Sequence, residues 1–138
     1  MIIAIDFDGT CVTHDFPIVG KDIGAIPVLQ ELRYNGHDLI LYTMRSNKEK
    51  SPSRGFRPYF TVLQEAVMWF DENNISLFGI NENPQQSSWT SSPKVYAHLY
   101  IDDAAAGCPL IYKPDFHPKS YVDWISMKNI LISKDYIK

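Results

Sequence analysis

Residues 1–10, MIIAIDFDGT, are the most informative stretch of this sequence. The apolar run at 2–5 has no polar alternation, which is typical of a strand buried on both faces of a parallel sheet. Asp6 and Asp8 follow directly, and side chains at i and i+2 of an extended chain point the same way. Gly9 then allows a sharp turn and a close approach to a ligand. Two converging carboxylates are costly unless a cation lies between them, so this stretch indicates a metal site.

The bulk composition is that of a globular chain. The length of 138 residues and the 45% hydrophobic content allow a hydrophobic core, and we expect one domain over 1–138. The net charge of −3 argues against general attraction to nucleic acid or membranes. Cys11 and Cys108 have no metal-site spacing, and we interpret them as free thiols, although one bridge between them stays open. No segment could span a membrane and no signal peptide is evident, so we expect a cytoplasmic protein.

Predicted strands and helices alternate along the rest of the chain. Further strands are predicted at 39–43, 75–80, 98–101 and 109–112. Helices are predicted at about 26–35, 59–72 and 121–132, with a helical turn at 94–97. The composition of residues 11–24 predicts a turn and a small flap, whereas the composition of 44–58 and 81–93 is typical of polar loops. This order predicts an α/β fold with a parallel sheet and right-handed crossovers.

Two helices carry more detailed predictions. In the second helix, Phe60, Leu63, Val67 and Phe70 share one face, which we expect to lie in the core. The last helix is preceded by Ser120 and Asp123, in a pattern similar to a capping box.

Polar residues follow several of the predicted strands. They are Asp6, Asp8, Thr43, Asp102 and Asp103. Because the carboxyl ends of parallel strands meet at one edge of the sheet, these residues should gather there, where ligands bind in such folds. Four carboxylates without a histidine or cysteine cluster favour Mg²⁺, which keeps room for water and a substrate phosphate.

These residue types suit phosphoryl transfer. Asp6 is the candidate nucleophile that would form an aspartyl-phosphate, and Asp8 could exchange protons with the leaving group and the attacking water. Thr43 offers a hydroxyl to a phosphoryl oxygen, and Lys94 offers an ammonium to neutralise developing charge. Thr43 could instead simply end its strand, and Lys94 has Lys21 and Lys48 as competitors for its role.

The order of these motifs resembles the haloacid dehalogenase superfamily. Its first motif is similar to DFDGT at 6–10, its second to Thr43, its third to Lys94, and its acidic fourth to YIDD at 100–103. The resemblance implies a three-layer Rossmann-like fold with sheet order 5-4-1-2-3 and Mg²⁺-dependent hydrolysis of a phosphate monoester.

The resemblance also implies roles for individual residues. Asp6, the backbone carbonyl of Asp8, and Asp102 would bind the metal, with Asp103 assisting. The acid at Asp8 matches the phosphatase branch rather than the dehalogenase branch. The insertions are too short for a full cap domain, so the chain looks like a capless or minimal-cap member. The expected substrate contacts are Gly9, Thr10, Thr43, Met44, Arg45 and Lys94.

The loop residues do not determine which substrate is bound. The basic loop carries a net charge of +4, from Arg45, Lys48, Lys50, Arg54 and Arg57 against Glu49. It could steer an anionic substrate or simply be solvated. Trp89 could stack on a base or sugar, or anchor its own loop. His14 and Asp15 in the flap could touch substrate or be structural.

Other functions also fit these residues. A phosphotransferase or mutase would use the same site with a hydroxyl acceptor. A non-catalytic phospho-acceptor domain of the receiver type is disfavoured because the third strand does not end in Asp, and a phosphate-binding module without catalysis is a further alternative. We expect a phosphorylated substrate of undetermined size and no membrane partner. Nucleic acid fits only as a phosphorylated end, and the oligomeric state stays open.

Overall fold

A central parallel sheet organises the computed structural model, which describes residues 1–52 and 60–138. Its strands are β1 (Ile2–Ile5), β2 (Asp38–Leu41), β3 (Gly79–Ile80) and β4 (Leu99–Ile101). They lie in the order β3-β2-β1-β4, with β1 pairing in parallel with both β2 and β4. The apolar run therefore lies in the middle of the sheet, as predicted, and the α/β prediction is confirmed.

Three helices cover one face of the sheet. They are α1 (Ala25–Tyr34), α2 (Val62–Glu72) and α3 (Trp124–Ser133). Ile3 and Ile5 of β1 join Leu39 and Leu41 of β2 in one hydrophobic cluster with buried residues of all three helices. The Phe7 ring packs edge-on against Trp69 of α2, with centroids 5.6 Å apart. This core holds the end of β1, and hence the first acidic motif, against the helical layer.

The second face is covered by segment 81–98, which completes a three-layer, Rossmann-like arrangement. Ala4 and Ile40 alternate with the core residues and so lie on this second face, and both are buried. The segment contains one 3-10 helix, Gln86–Ser88. The Tyr100 hydroxyl donates to the Val95 carbonyl (2.5 Å) and accepts from the Ala97 N–H (3.2 Å). The helical turn predicted at 94–97 is therefore wrong, because these residues run irregularly across the edge strand.

The predicted fifth strand does not join the central sheet. It forms β5 (Leu110–Ile111), which pairs antiparallel with β6 (Tyr121–Val122) in a separate hairpin. The last helix therefore begins three residues later than predicted, at Trp124. The capping box with Ser120 is also wrong, because Asp123 alone caps the helix by accepting from the Ile125 N–H.

Helix α2 begins at Val62, whereas its predicted start at residue 59 lies outside the described residues. Thr61 caps it in a capping box with Gln64. The predicted core stripe is shifted, because Val62, Ala66, Trp69 and Phe70 are buried while Leu63 and Val67 are half-buried at its margin. The shift arises because Trp69 and Phe70 both pack towards Phe7.

The flap between β1 and α1 is a short hairpin. Val12 bridges Asp22, and the Thr13 N–H donates to the Lys21 carbonyl (3.0 Å), as the sequence predicted. Cys11 and Cys108 are both free. Over the described ranges, none of the helices is long and apolar enough to cross a lipid bilayer.

Candidate metal centre

Three carboxylates converge where β1 and β4 end. Asp6 follows β1, whereas Asp102 and Asp103 follow β4, and each offers an oxygen within 4.8 Å of the others. The two strands are parallel neighbours, with Ile5 in register with Ile101, so their carboxyl ends lie side by side. The topology thus brings together acidic residues nearly a hundred positions apart in sequence, as predicted.

Thr10 links the two halves of this cluster. Its hydroxyl lies 2.9 Å from Asp6 Oδ2 and 3.1 Å from Asp103 Oδ1, and accepts from the Asp103 N–H (3.0 Å). The Trp124 indole N–H donates to the Thr10 carbonyl (2.7 Å), which fixes the turn against α3. Thr10 is fully buried. We expected Thr10 to contact substrate, but in this structure it orients the carboxylates of Asp6 and Asp103.

Gly9 lets the flap close onto the acidic cluster. It has φ of +84°, and a Cβ there would lie 2.0 Å from His14 Nε2 and 2.7 Å from Asp103 Oδ2. His14 Nε2 lies 2.7 Å from the same Asp103 oxygen. We expected Gly9 to contact substrate, but its N–H donates to the Val12 carbonyl (2.7 Å) and is already engaged. The sequence placed His14 near the site but gave no sign of its contact with Asp103.

The electrostatics of the cluster favour a cation. The pKa of Asp6 is raised from 3.8 to about 7, mainly by burial, with smaller upward contributions from the charges of Asp102 and Asp103 and opposing ones from the hydrogen bonds of Thr10 and the Phe7 backbone. A bound cation would offset both the desolvation and the repulsion. An all-oxygen set with one carboxylate from each of three positions fits Mg²⁺ in its donor chemistry.

Asp8 turns away from this cluster and is held by Arg45. The guanidinium binds it at two points, Nε to Oδ2 and Nη2 to Oδ1, both at 2.8 Å. The remaining donors of Arg45 reach the carbonyls of Pro17, Ile18 and Val62. Arg45 is only 2% exposed. All five of its N–H groups are therefore engaged, and the residue expected to bind substrate instead positions Asp8 beneath the flap.

Thr43 lies in a tight turn after β2. Its hydroxyl accepts from the Arg45 N–H (3.1 Å), and its own N–H donates to Asn81 Oδ1 (2.8 Å). Asn81 follows β3 with φ of +54° and was not among the predicted site residues, because nothing in its local sequence marks it. Met44 is 98% exposed at the tip of this turn.

Lys94 lies near the Tyr100 ring of β4. Its Nζ is 5.9 Å from the centre of that ring. In the described parts of the chain, no ion pair joins Lys94 to Asp6, Asp102 or Asp103. In the basic loop, Lys48 and Lys50 are exposed, whereas Arg54 and Arg57 lie outside the described residues.

Cys11 is buried beside the nucleophile candidate but is poorly suited to react. Its Sγ donates to the Asp6 carbonyl (3.3 Å), and burial raises its pKa well above the usual value, with a contribution from the charges of Asp6 and Asp8. A thiol held neutral in this way is a poor nucleophile, as expected from the sequence.

Comparison with known proteins supports the fold and names no activity. No protein-family model matches the sequence, and neither does any curated protein. Among solved structures, the chain is similar to a conserved protein from Bacteroides thetaiotaomicron, with 28% identity and a TM-score of 0.71. The match covers 97% of this chain and 91% of the other. The α/β arrangement is therefore shared over nearly the full length of both chains.

Proposed function

We propose that this protein is a Mg²⁺-dependent phosphohydrolase of the haloacid dehalogenase type, which cleaves a phosphate monoester through an aspartyl-phosphate on Asp6. The observation that carries the proposal is the convergence of Asp6, Asp102 and Asp103 within 4.8 Å at the carboxyl edge of the sheet. Structural cores rarely gather three carboxylates in this way, because their mutual repulsion needs a cation.

Asp6 is the nucleophile in this proposal. Thr10 holds its Oδ2, which leaves Oδ1 to attack the phosphorus of the ester. The bond from phosphorus to the leaving oxygen then breaks, and the phosphoryl group remains on Asp6 until water attacks the same phosphorus. Mg²⁺ bound by Asp6, Asp102 and Asp103 would neutralise the phosphoryl oxygens and hold them beside the nucleophile.

Asp8 exchanges the protons. It would donate one to the leaving oxygen and later take one from the attacking water, as the general acid and base. Its bidentate pair with Arg45 engages both carboxylate oxygens, so this role requires Asp8 to exchange one of the two contacts for the substrate. Thr43 and Lys94 would reach the phosphoryl oxygens from the β2 and β4 sides of the site, respectively.

The test is turnover of a chromogenic phosphate monoester with and without Mg²⁺, on the wild type and on Asp6→Asn. We expect metal-dependent release of phosphate that is lost in Asp6→Asn. Undiminished turnover in this variant would contradict the nucleophile assignment. Adding an alcohol as a second acceptor and analysing the products separates the hydrolase from a phosphotransferase that uses the same residues.

A further inference from the structure

The tip of the flap, residues 16–18, presents apolar side chains to solvent. Its sequence is Phe16-Pro17-Ile18, and all three residues are exposed. Phe16 is 55% exposed and Ile18 is 45% exposed. Three consecutive exposed apolar residues are unfavourable in a folded chain unless they bind something, because their apolar area stays in contact with water. The flap tip is therefore a candidate contact surface.

Arg45 joins the flap tip directly to Asp8. Its Nη2 donates both to Asp8 Oδ1 (2.8 Å) and to the Ile18 carbonyl (3.0 Å). Its Nη1 donates to the Pro17 carbonyl (3.2 Å). A single guanidinium nitrogen thus bridges the carboxylate and the flap backbone, so the tip is fixed beside Asp8.

The Phe16 ring covers the same guanidinium. The Arg45 Cζ lies 5.3 Å from the centre of the Phe16 ring and 5.1 Å from that of Phe7. Phe7 is fully buried, whereas more than half of Phe16 is exposed. The guanidinium therefore lies between the core and the flap tip, and Phe16 keeps apolar surface available to a ligand that reaches Asp8.

The proposed reaction brings the leaving group to this place. To protonate the leaving oxygen, Asp8 must come within hydrogen-bond distance of it. When that oxygen replaces one Arg45 contact, the alcohol part of the ester lies beside the guanidinium and hence beside the flap tip. Residues 16–18 carry no charged or hydroxyl side chain, and the Pro17 and Ile18 carbonyls already accept from Arg45. The alcohol would therefore meet apolar groups.

We propose that Phe16 and Ile18 form the subsite for the leaving group and select phosphate monoesters whose alcohol carries an aromatic or bulky apolar group. Such a group would cover the exposed flap tip and remove apolar area from water. A short polyol would instead lose hydration at its hydroxyl groups without gaining partners there. This inference rests on the proposed phosphohydrolase and names the substrate class of its site.

The test compares 2-phenylethyl phosphate with ethyl phosphate in the presence of Mg²⁺. Both are primary alkyl esters with leaving groups of similar acidity, so the phenyl ring is the main difference between them. We expect kcat/KM to be about tenfold higher for the aromatic ester, in line with partial burial of one phenyl ring. Equal kcat/KM values for the two esters in the wild type would overturn the proposal.

Variants locate the effect on the flap tip. Phe16→Ala should remove most of the preference for the aromatic ester, and Phe16→Leu should keep most of it because a large apolar side chain remains. Tyr34→Ala removes a ring that is 91% exposed on α1 and is the matched control, with the preference unchanged. If Phe16→Ala lowers turnover of both esters equally, the ring only covers Arg45, and the proposal is overturned.

A binding measurement separates the subsite from the reaction. The phosphonates 3-phenylpropylphosphonate and propylphosphonate mimic the two esters and cannot be hydrolysed, and calorimetry on the full chain with Mg²⁺ gives their affinities. Tighter binding of the aromatic phosphonate without turnover of either ester would contradict the phosphohydrolase and support the subsite. Turnover of both esters without any aromatic preference would support the phosphohydrolase and contradict the subsite. Binding of neither phosphonate would overturn the subsite as well.

Discussion

Gly9 shows how closely the residues around Asp6 are packed. Its φ of +84° is a conformation that glycine adopts at little cost, and its missing Cβ leaves room for His14 and Asp103 to meet. The flap and the end of β4 therefore meet next to the DFDGT stretch at 6–10. The DFDGT stretch therefore contributes backbone shape as well as carboxylates.

We expect Gly9→Ala to weaken both stability and metal binding. Backbone strain at this position costs about 1–3 kcal/mol, and the new Cβ must also displace His14 or Asp103. Gly36→Ala is the matched control, because Gly36 has φ of +83° with nothing within 4 Å of its Cβ position. Urea unfolding and Mg²⁺ titration of both variants measure the difference. Equal losses in the two variants would show that the contacts at Gly9 do not matter.

Asp6 makes the metal-free protein sensitive to pH. Its pKa is about 7 in the folded chain and 3.8 in the absence of the fold, so between these values the folded state holds a proton that the unfolded state has lost. Stability from this group therefore falls as the pH rises through the window. In EDTA, we expect Asp6→Asn to unfold at a higher temperature than the wild type at about pH 8, with a smaller difference towards about pH 4.

Metal binding should reverse this effect. Because the Asp6 proton must leave before the carboxylate binds a cation, Mg²⁺ should raise the unfolding temperature of the wild type more at about pH 8 than at about pH 5. Asp6→Asn should show little Mg²⁺ stabilisation at either pH. Calorimetric scans with and without Mg²⁺ make the comparison, and equal shifts in both proteins would contradict the proposed centre.

Arg45 is a residue whose removal should cost much stability, because it is buried and paired with Asp8. Arg45→Met leaves the Asp8 carboxylate unpaired, and breaking a buried pair in this way costs about 3–5 kcal/mol. Lys128→Met breaks the exposed pair with Glu31 (2.6 Å) and should cost less than about 1 kcal/mol. Urea unfolding of both variants provides the measurement. A cost for Arg45→Met no greater than that for Lys128→Met would refute the positioning role.

At the scale of elements, the flap is held on two sides. His14 ties it to the end of β4 through Asp103, and Asp15 lies 3.2 Å from His117 in the turn between β5 and β6. Lys21 also donates to the Phe116 carbonyl in that turn (3.4 Å). The β5–β6 hairpin therefore supports the flap instead of extending the sheet, and both elements border the candidate site.

Asp123 fixes the start of α3, and its capping should depend on pH. Its carboxylate accepts from Ser126 and Ile125, which lower its pKa. A lowered pKa contributes stability above the unfolded value of 3.8 and loses it as the pH falls through the folded value. We expect Asp123→Ala to cost about 1 kcal/mol at neutral pH and less in acid, as followed by urea unfolding. Asp123→Asn should keep most of the cap, and a pH-independent loss in Asp123→Ala would contradict this account.

At the scale of the whole molecule, parallel topology assembles the candidate site from both ends of the chain. Its position could be predicted because two signals coincide: an unbroken apolar run predicts a buried central strand, and carboxylates directly follow β1 and β4. The alternation of elements likewise predicted the α/β fold. Both inferences use local patterns with a fixed geometric consequence, which explains their success.

Other features depend on tertiary partners that no local pattern encodes. The partner of β5 is β6, whose two residues looked like the start of a helix. The pairing of Arg45 with Asp8 joins positions 37 residues apart, and the contact of Asn81 with Thr43 joins positions 38 apart. The local sequence beside a polar loop does not indicate which of its residues are buried. The edge of the sheet at which the site lies could therefore be predicted, whereas the hydrogen-bond and ion-pair partners of its polar groups could not.

The central claim is that Asp6 carries the phosphoryl group, and chemical trapping tests it most directly. The protein is mixed with a phosphate monoester and Mg²⁺, quenched in acid and treated with borohydride, which reduces an aspartyl-phosphate to homoserine. Peptide mass spectrometry then locates the modified residue. We expect homoserine at position 6 with Mg²⁺ present, and none in EDTA or in Asp6→Asn. Mg²⁺-dependent turnover with Asp6 unmodified and another residue modified would contradict the claim.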